Sequence, residues 1–278
     1  MKKMKKILFL MVVLTATILT SCDDTKQEFT TPNFEELFTQ DYPLKNSVPA
    51  GDYTVSMHAE EDLFVGYNQM YFLVKNTSTG ELISDFTLKI TPMMDMGVMM
   101  HSAPNETPVN PEGDTKVIKY NMVYIMPSTA GDWTLNGELT INEGDNPISF
   151  SLPVTVVEKT DVRMLSFISQ ADSTTMVFLT LNQLKDPVVG ENPIQFGVYK
   201  RETMMSFPAV EDYQIEFEPE MPTMGHGSPN NVNPTYTANG LYDGTVNFTM
   251  TGYWRINVTV KNLEGVVVKD GISFDVNF

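Results

Sequence analysis

The sequence predicts an all-β protein with two tandem immunoglobulin-like β-sandwich domains. Short runs rich in Val, Ile, Thr, Phe and Tyr recur from Gly51 to the C-terminus, separated by Gly, Pro, Asn and Asp. Helical periodicity is scarce over the same stretch. Motifs of the first half also recur in the second half, which indicates a duplicated unit.

Five segments have the alternation or the β-rich composition that is typical of strands. They are 69–75, 86–90, 149–156, 245–249 and 255–260. Turn signals between such segments predict antiparallel connections of neighbouring strands. These signals lie at 76–80, 143–147, 243–244 and 264–265. Two packed antiparallel sheets are the arrangement that this pattern favours.

The internal repeat is most evident around the histidines and tryptophans. Residues 96–105 match residues 221–230 at a constant offset of 125, with Met, Met, His, Pro and Asn in common. The only two tryptophans of the chain, Trp133 and Trp254, lie at equivalent places, and we expect them to fill the sandwich cores. The repeat predicts domains at 49–158 and 160–278.

The N-terminus resembles a bacterial lipoprotein export signal. Four lysines within the first six residues precede thirteen uncharged residues, a run too short to span a bilayer. The segment 19–22, Leu-Thr-Ser-Cys, resembles the lipobox at which lipoprotein precursors are cut and acylated. We therefore predict a signal peptide over 1–21 and a lipid on Cys22. The alternative is an ordinary secretory peptide with a chance cysteine.

An acidic segment follows the predicted cleavage site. Residues 22–48 are polar, contain two prolines and are predicted to form a tether. Asp23 and Asp24 resemble the acidic export signal of surface lipoproteins in the Bacteroidota, which would place the protein on the outer face of the outer membrane. A merely acidic tether facing the periplasm is the alternative.

The charge of the chain excludes one class of partner. The net charge is −17, and the predicted cleavage leaves 14 basic against 35 acidic side chains. Nucleic acid would be repelled, and contact with a membrane is expected only through the lipid. Cys22 is the only cysteine, so lipidation leaves no thiol for a disulfide, a metal or catalysis. The sequence does not indicate an oligomeric state.

Methionines and histidines cluster in the repeated segments. Neutral thioether sulfurs combined with imidazole suit soft ions such as Cu(I) or Ag(I) rather than Mg, Ca or Zn. We predict one soft metal ion in each loop. In the alternative, the methionines cap the open end of each sandwich and the histidine closes a hydrogen bond. The predicted ligands are Met96, Met99 and His101 in the first loop and Met221, Met224 and His226 in the second, with Met93, Met94 and Met100 as spare ligands.

The third histidine, His58, lies in a predicted strand. It has no counterpart in the second half of the chain. We interpret it as a half-buried strand residue, although the end of a strand could supply a fourth metal ligand.

The second half resembles a known family of exported domains. The resemblance rests on Pro-x-Met-Pro-x-Met-Gly-His at 219–226, Gly-Leu-Tyr-Asp-Gly at 240–244 and Phe-Thr-Met-Thr-Gly-Tyr-Trp at 248–254. This order is similar to the YtkA-like domain, which is related to FixH-type proteins. The resemblance implies an exported immunoglobulin-like domain, and several members of the family occur near copper-handling systems. The first half departs from it, since it lacks an equivalent of 240–244.

These observations favour a binding protein over an enzyme. No Gly-x-Ser-x-Gly, Walker or His-Glu-x-x-His motif is present to supply a nucleophile, a phosphate cradle or a catalytic zinc site. The leading prediction is a lipid-anchored, exported metal-handling protein whose partner is a metal-transport or envelope protein. The alternative is a surface interaction module that binds protein or glycan without metal.

Overall fold

The predicted all-β sandwich fold is confirmed. The computed structural model describes residues 34–111, 116–142 and 145–278. Strands dominate this part of the chain, and one short helix, α1 (Phe34–Asp41), precedes them. In the same residues, no helix has the length and hydropathy needed to cross a bilayer.

The first sandwich consists of two packed antiparallel sheets. Its described strands are β1 (Leu44–Ala50), β2 (Tyr53–His58), β3 (Gly66–Asn76), β4 (Thr87–Asp95), β5 (Met100–His101), β6 (Ile118–Tyr124), β7 (Asp132–Thr140) and β8 (Ile148–Val154). One sheet has the order β1-β2-β3-β6 and the other has the order β5-β4-β7-β8. The side chains that alternate inward from both sheets form one core around Trp133.

The second sandwich repeats this strand order with one additional edge strand. Its described strands are β9 (Met164–Ile168), β10 (Met176–Gln183), β11 (Gly190–Lys200), β12 (Tyr213–Met221), β13 (His226–Gly227), β14 (Val232–Ala238), β15 (Leu241–Phe248), β16 (Tyr253–Asn262) and β17 (Val267–Asn277). The sheet orders are β14-β15-β11-β10-β9 and β13-β12-β16-β17, and β14 is the additional strand. The second core surrounds Trp254.

One of the predicted turns, at 243–244, is wrong. Asp243 and Gly244 lie inside β15, where they pair with β11. The chain reverses instead at Asn239 and Gly240, whose φ angles are 52° and 75°. Two residues with positive φ match the twist of a tight hairpin, and Asn-Gly is a strong signal for such a turn. The predicted turn at 76–80 is present. The N–H of Asn76 donates to the carbonyl of Glu81 at 3.0 Å, and Lys75 pairs antiparallel with Leu82 before the chain crosses to β4 in the other sheet.

The predicted tether is shorter than the sequence suggested. Residues 34–41 are helical, and β1 pairs with β2 along its whole length. The ring of Phe38 lies 5.0 Å from that of Tyr42 and 5.5 Å from that of His58. These contacts hold α1 against the first sandwich, because aromatic packing offsets the entropy that a free tether would retain. The rest of the segment predicted as a tether, from Cys22 to residue 33, lies outside the described residues.

Both ring nitrogens of His58 have hydrogen-bond partners within the protein. Its Nδ1 lies 3.0 Å from the carbonyl oxygen of Tyr42, and its Nε2 lies 3.1 Å from the hydroxyl oxygen of Ser56. Burial lowers the pKa of the imidazole, which favours the neutral ring. With both nitrogens engaged, this residue serves the packing of α1 on β2.

A buried asparagine occupies the same position in each sandwich. Asn68 accepts a hydrogen bond from the Phe64 N–H at 3.0 Å and donates to the carbonyls of Phe64 and Gly66. In the second sandwich, Asn192 accepts from the Val188 N–H at 2.8 Å and makes the corresponding two donations. Each amide thus satisfies the buried backbone at the start of a central strand.

The two sandwiches contact each other through a small apolar cluster. Val123 of β6 packs with Phe178, Tyr199 and Phe207 of the second sandwich. A backbone hydrogen bond also joins the halves, since the N–H of Ser102 donates to the carbonyl of Met204 at 2.8 Å. This contact places the loop between β11 and β12 beside the first methionine and histidine segment.

Candidate metal sites

His101 and His226 each pair with a methionine across a short hairpin. Met94 of β4 lies opposite His101 of β5, and Met221 of β12 lies opposite His226 of β13. Residues directly opposite in an antiparallel ladder project from the same face, with Cβ atoms about 4.5–5.5 Å apart. The fold therefore places a thioether beside an imidazole in both sandwiches. We call these two regions the first hairpin (94–101) and the second hairpin (221–226).

The structural counterpart of Met221 is Met94, and the sequence alignment with Met96 is wrong on this point. The first hairpin has a connection two residues longer than the second, which shifts the alignment while the histidines stay equivalent. A Cβ atom built on Gly131 would lie 3.1 Å from the methyl carbon of Met94, and one on Gly252 would lie 3.0 Å from that of Met221. Equivalent glycines thus leave room for equivalent methionines in the two halves.

A tryptophan supports each imidazole. The ring of His101 meets Trp133 edge-on at 5.4 Å, and the ring of His226 meets Trp254 edge-on at 5.9 Å. Each indole N–H donates to a backbone carbonyl, that of Met126 or that of Met250. Both tryptophans are buried, as predicted for core residues. The two indole rings therefore hold the two imidazole rings in position through edge-on packing.

The hydrogen bonds of the imidazoles determine which nitrogen is free. Nδ1 of His101 lies 2.7 Å from the carbonyl oxygen of Ser102, and Nδ1 of His226 lies 3.0 Å from that of Gly227. A carbonyl only accepts, so Nδ1 carries the proton and donates in both rings. Nε2 of the neutral ring then holds an unshared electron pair, which is the form of imidazole that binds metals.

The Nε2 atom of His101 is unusual because it is buried without a hydrogen-bond partner in the described part of the chain. Buried polar atoms of native proteins nearly always have partners, and an exception requires an explanation such as an ion. This nitrogen and the thioether of Met94, the residue opposite in the ladder, are both ligand types that a soft metal ion prefers. The residues present are thus compatible with Cu(I) or Ag(I).

The predicted thioether ligands lie in different environments. Met221 and Met94 are buried beside their histidines, whereas Met99 and Met224 are exposed in the connections. Met96 packs partly against the first core, and its N–H donates to the carbonyl of Met99 at 3.0 Å. The hairpins therefore join each histidine to one buried methionine and leave other methionines at the surface. The sequence predicted Met94 only as a spare ligand. Its position opposite His101 makes it the structural equivalent of Met221.

Other metal chemistry lacks a comparable cluster in the residues that the structure describes. No group of three or more His, Cys, Asp or Glu side chains is placed there to hold an ion, and thioethers do not belong to that set. The predicted lipidation residue Cys22 lies outside the described residues.

A polar cleft of about 1050 Å³ lies between the two sandwiches, away from the hairpins. Amide side chains line both of its walls, and an ion pair between Lys185 and Glu60, with Nζ and Oε1 2.7 Å apart, joins the walls. The Tyr71 hydroxyl donates to Gln69 at 2.5 Å, and burial raises the pKa of this phenol, which keeps the hydroxyl protonated. The cleft amides include Gln69, Asn121, Asn182, Gln183 and Gln195.

Comparison with protein families gives a match within the second sandwich. No curated protein matches the chain significantly. A YtkA-like family model matches residues 169–259, a span that begins directly after β9 and ends within β16. It includes the whole second hairpin and Trp254. The second sandwich therefore contains a segment, residues 169–259, that is similar to the YtkA-like family.

Proposed function

We propose that the protein binds a soft metal ion, Cu(I) or Ag(I), at each of its two hairpins. The observation that carries this proposal is the buried Nε2 of His101, which has an available electron pair and no partner in the described residues. His226 has the same tautomer and the same tryptophan support. Together with Met94 and Met221, these residues offer one nitrogen and at least one sulfur in each half.

The exposed Met99 and Met224 and the partly buried Met96 provide further ligands for the same ions. Met96 and Met99 follow Met94 in the first hairpin, and Met224 follows Met221 in the second. A bound ion would bring soft, polarisable neighbours together without any proton being released from sulfur. Such a site suits storage or transfer of the ion, because thioether ligands do not demand a rigid geometry.

We further propose that the protein acts outside the cytoplasm as a lipoprotein anchored through Cys22, handing metal to a transport or envelope protein. The lipobox-like segment and the acidic residues after it support this proposal. Mass spectrometry of the mature N-terminus would test lipidation, and protease treatment of intact cells would distinguish a surface location from a periplasmic one.

Metal titration tests the binding proposal. We expect the wild-type protein to bind two Cu(I) ions in competition with a chromophoric chelator, and the double variant Met224→Leu/His226→Ala to bind one tightly. The weakened site should lose roughly 100-fold or more in affinity, since changes to outer-shell partners alone cost about 10- to 100-fold.

His58→Gln is the matched control for this titration, because that histidine is engaged by Tyr42 and Ser56. Its Cu(I) stoichiometry should equal that of the wild type. Unchanged affinity and stoichiometry in Met224→Leu/His226→Ala would refute metal binding at the second hairpin.

The polar cleft supports a second candidate function, which is binding of a neutral, polyhydroxylated ligand such as an oligosaccharide. Amide side chains both donate and accept, as sugar hydroxyls require, and Tyr71 adds a ring face. The ion pair between Glu60 and Lys185 neutralises two of the charges at the cleft. This candidate needs no metal.

Glycan binding in the presence of a metal chelator tests this second candidate. We expect Gln69→Ala/Gln183→Ala to weaken binding about tenfold or more, since buried polar contacts to a ligand contribute about 1–3 kcal/mol each. Asn136→Ala, an exposed change on the other sheet, is the control. Binding that is absent, or equal in both variants, would rule out the cleft.

A further inference from the structure

The two histidines differ in burial although their ring contacts are the same. His101 is 4% exposed, whereas His226 is only partly buried. Both donate through Nδ1 to a neighbouring carbonyl, and both rest on a tryptophan edge. The shared ring contacts alone therefore do not account for the greater burial of His101. In the structure, the second sandwich contacts the chain at the residue that follows His101.

The contacting segment is a tight turn with two methionines at its tip. Ser102 donates its N–H to the carbonyl of Met204 at 2.8 Å, and Thr203 and Ser206 pair as the two ends of the turn. The N–H of Met205 donates to the hydroxyl oxygen of Thr203 at 3.1 Å. We call residues 203–206 the interdomain turn. Its backbone is thus fixed against the first hairpin of the other sandwich.

The interdomain turn is also anchored from behind. Phe207 follows it directly and packs with Phe178, with ring centroids 5.8 Å apart, and with Val123 of the first sandwich. An apolar anchor of this kind limits how far the turn can move away from His101. The contact between the two sandwiches therefore determines where the backbone of Met204 and Met205 lies.

The thioethers of this turn are not used by either core. Met204 and Met205 are 40% and 53% exposed, and Met99 and Met100 on the facing hairpin are exposed as well. Methionine normally fills gaps in an interior. These four exposed methionines lie on the two segments that meet where Ser102, the residue after His101, contacts Met204, and they need another explanation. Soft-metal ligation is the chemistry that neutral sulfur and a free Nε2 share.

We infer that the interdomain turn completes the first metal site, with Met204 or Met205 supplying a thioether to an ion that is bound by Nε2 of His101. This inference rests on the proposed soft-metal function. It makes the first site a shared site of both sandwiches, whereas the second site belongs to one sandwich alone. Binding of the ion then also fastens the two halves to each other.

The test uses the full chain carrying Met224→Leu/His226→Ala, so that only the first site remains to be titrated with Cu(I). In this background we expect Met204→Leu/Met205→Leu to lower the Cu(I) affinity about tenfold or more, in the range typical for loss of a contributing group. X-ray absorption of the bound copper should show one sulfur fewer. Leucine keeps the volume and apolar character of methionine, so the fold should be retained.

Two comparisons keep the inference separate from the proposed function. If His101→Ala abolishes binding in this background while Met204→Leu/Met205→Leu leaves the affinity and the sulfur count unchanged, the inference is overturned and the first metal site stands. If the background variant binds no Cu(I) and the wild type binds none, both the metal function and the inference are overturned. Thermal unfolding of each variant shows that a loss of affinity does not arise from a loss of folding.

Discussion

Replacing Trp254 with alanine is expected to lower the free energy of unfolding of the second sandwich by about 3–5 kcal/mol. The side chain is fully buried, and its ring lies 5.2 Å from that of Phe248. The substitution also leaves the carbonyl of Met250 without its indole donor. Urea unfolding monitored by circular dichroism would measure the change.

The same substitution bears on the candidate metal site, because the indole supports the imidazole of His226. Trp254→Phe should cost less stability than Trp254→Ala, since it retains a ring in the core. Leu263→Ala, in an exposed turn, is the control and should change stability by no more than about 0.5 kcal/mol. A loss below about 1 kcal/mol in Trp254→Ala would contradict the assigned role of this core residue.

Replacing Asn68 or Asn192 with alanine is expected to cost roughly 2–4 kcal/mol, because two or three buried backbone groups lose partners worth about 1–3 kcal/mol each and water restores part of that loss. Asn68 holds Phe64 and Gly66 by three hydrogen bonds, and Asn192 makes the equivalent set in the second sandwich. Chemical denaturation of both variants would measure the effect.

Asn136→Ala provides the matched control for these two variants. This asparagine is exposed and accepts one hydrogen bond, from the hydroxyl of Ser151. Its replacement should fall within about 0.5 kcal/mol of the wild type. Equal stabilities of Asn68→Ala and Asn136→Ala would show that the buried amide does not hold the start of β3.

The strands could be predicted from the sequence because their signal is local. Alternation of inward and outward side chains is a property of consecutive residues, and segments such as 69–75 and 255–260 lie within β3 and β16. The repeated Gly-x-Asn, Gly66 to Asn68 and Gly190 to Asn192, was also present in the sequence. Gly-x-Asn has no periodicity that would mark it in a sequence. Its role becomes evident only from the hydrogen bonds that the two asparagines share.

The segment before the first sandwich could not be predicted in the same way. Its polar, acidic composition indicated a tether, but Phe38 finds its partners His58 and Tyr71 only once β2 and β3 are assembled. The turn predicted at 243–244 is wrong for a similar reason. Asp-Gly is compatible with a turn or with a strand, and pairing with β11 decided between them.

The sequence by itself determined that the chain is all-β, that a histidine and a tryptophan recur in each half, and that thioethers accompany each histidine. Only the tertiary structure decided which methionine lies opposite His101, which ring nitrogen remains free, and that Met204 contacts Ser102, the residue after His101. The physical reason is the separation in sequence between the residues that determine each property. Residue types and their periodicity are written along the chain, whereas register, tautomer and burial depend on contacts between residues far apart in sequence.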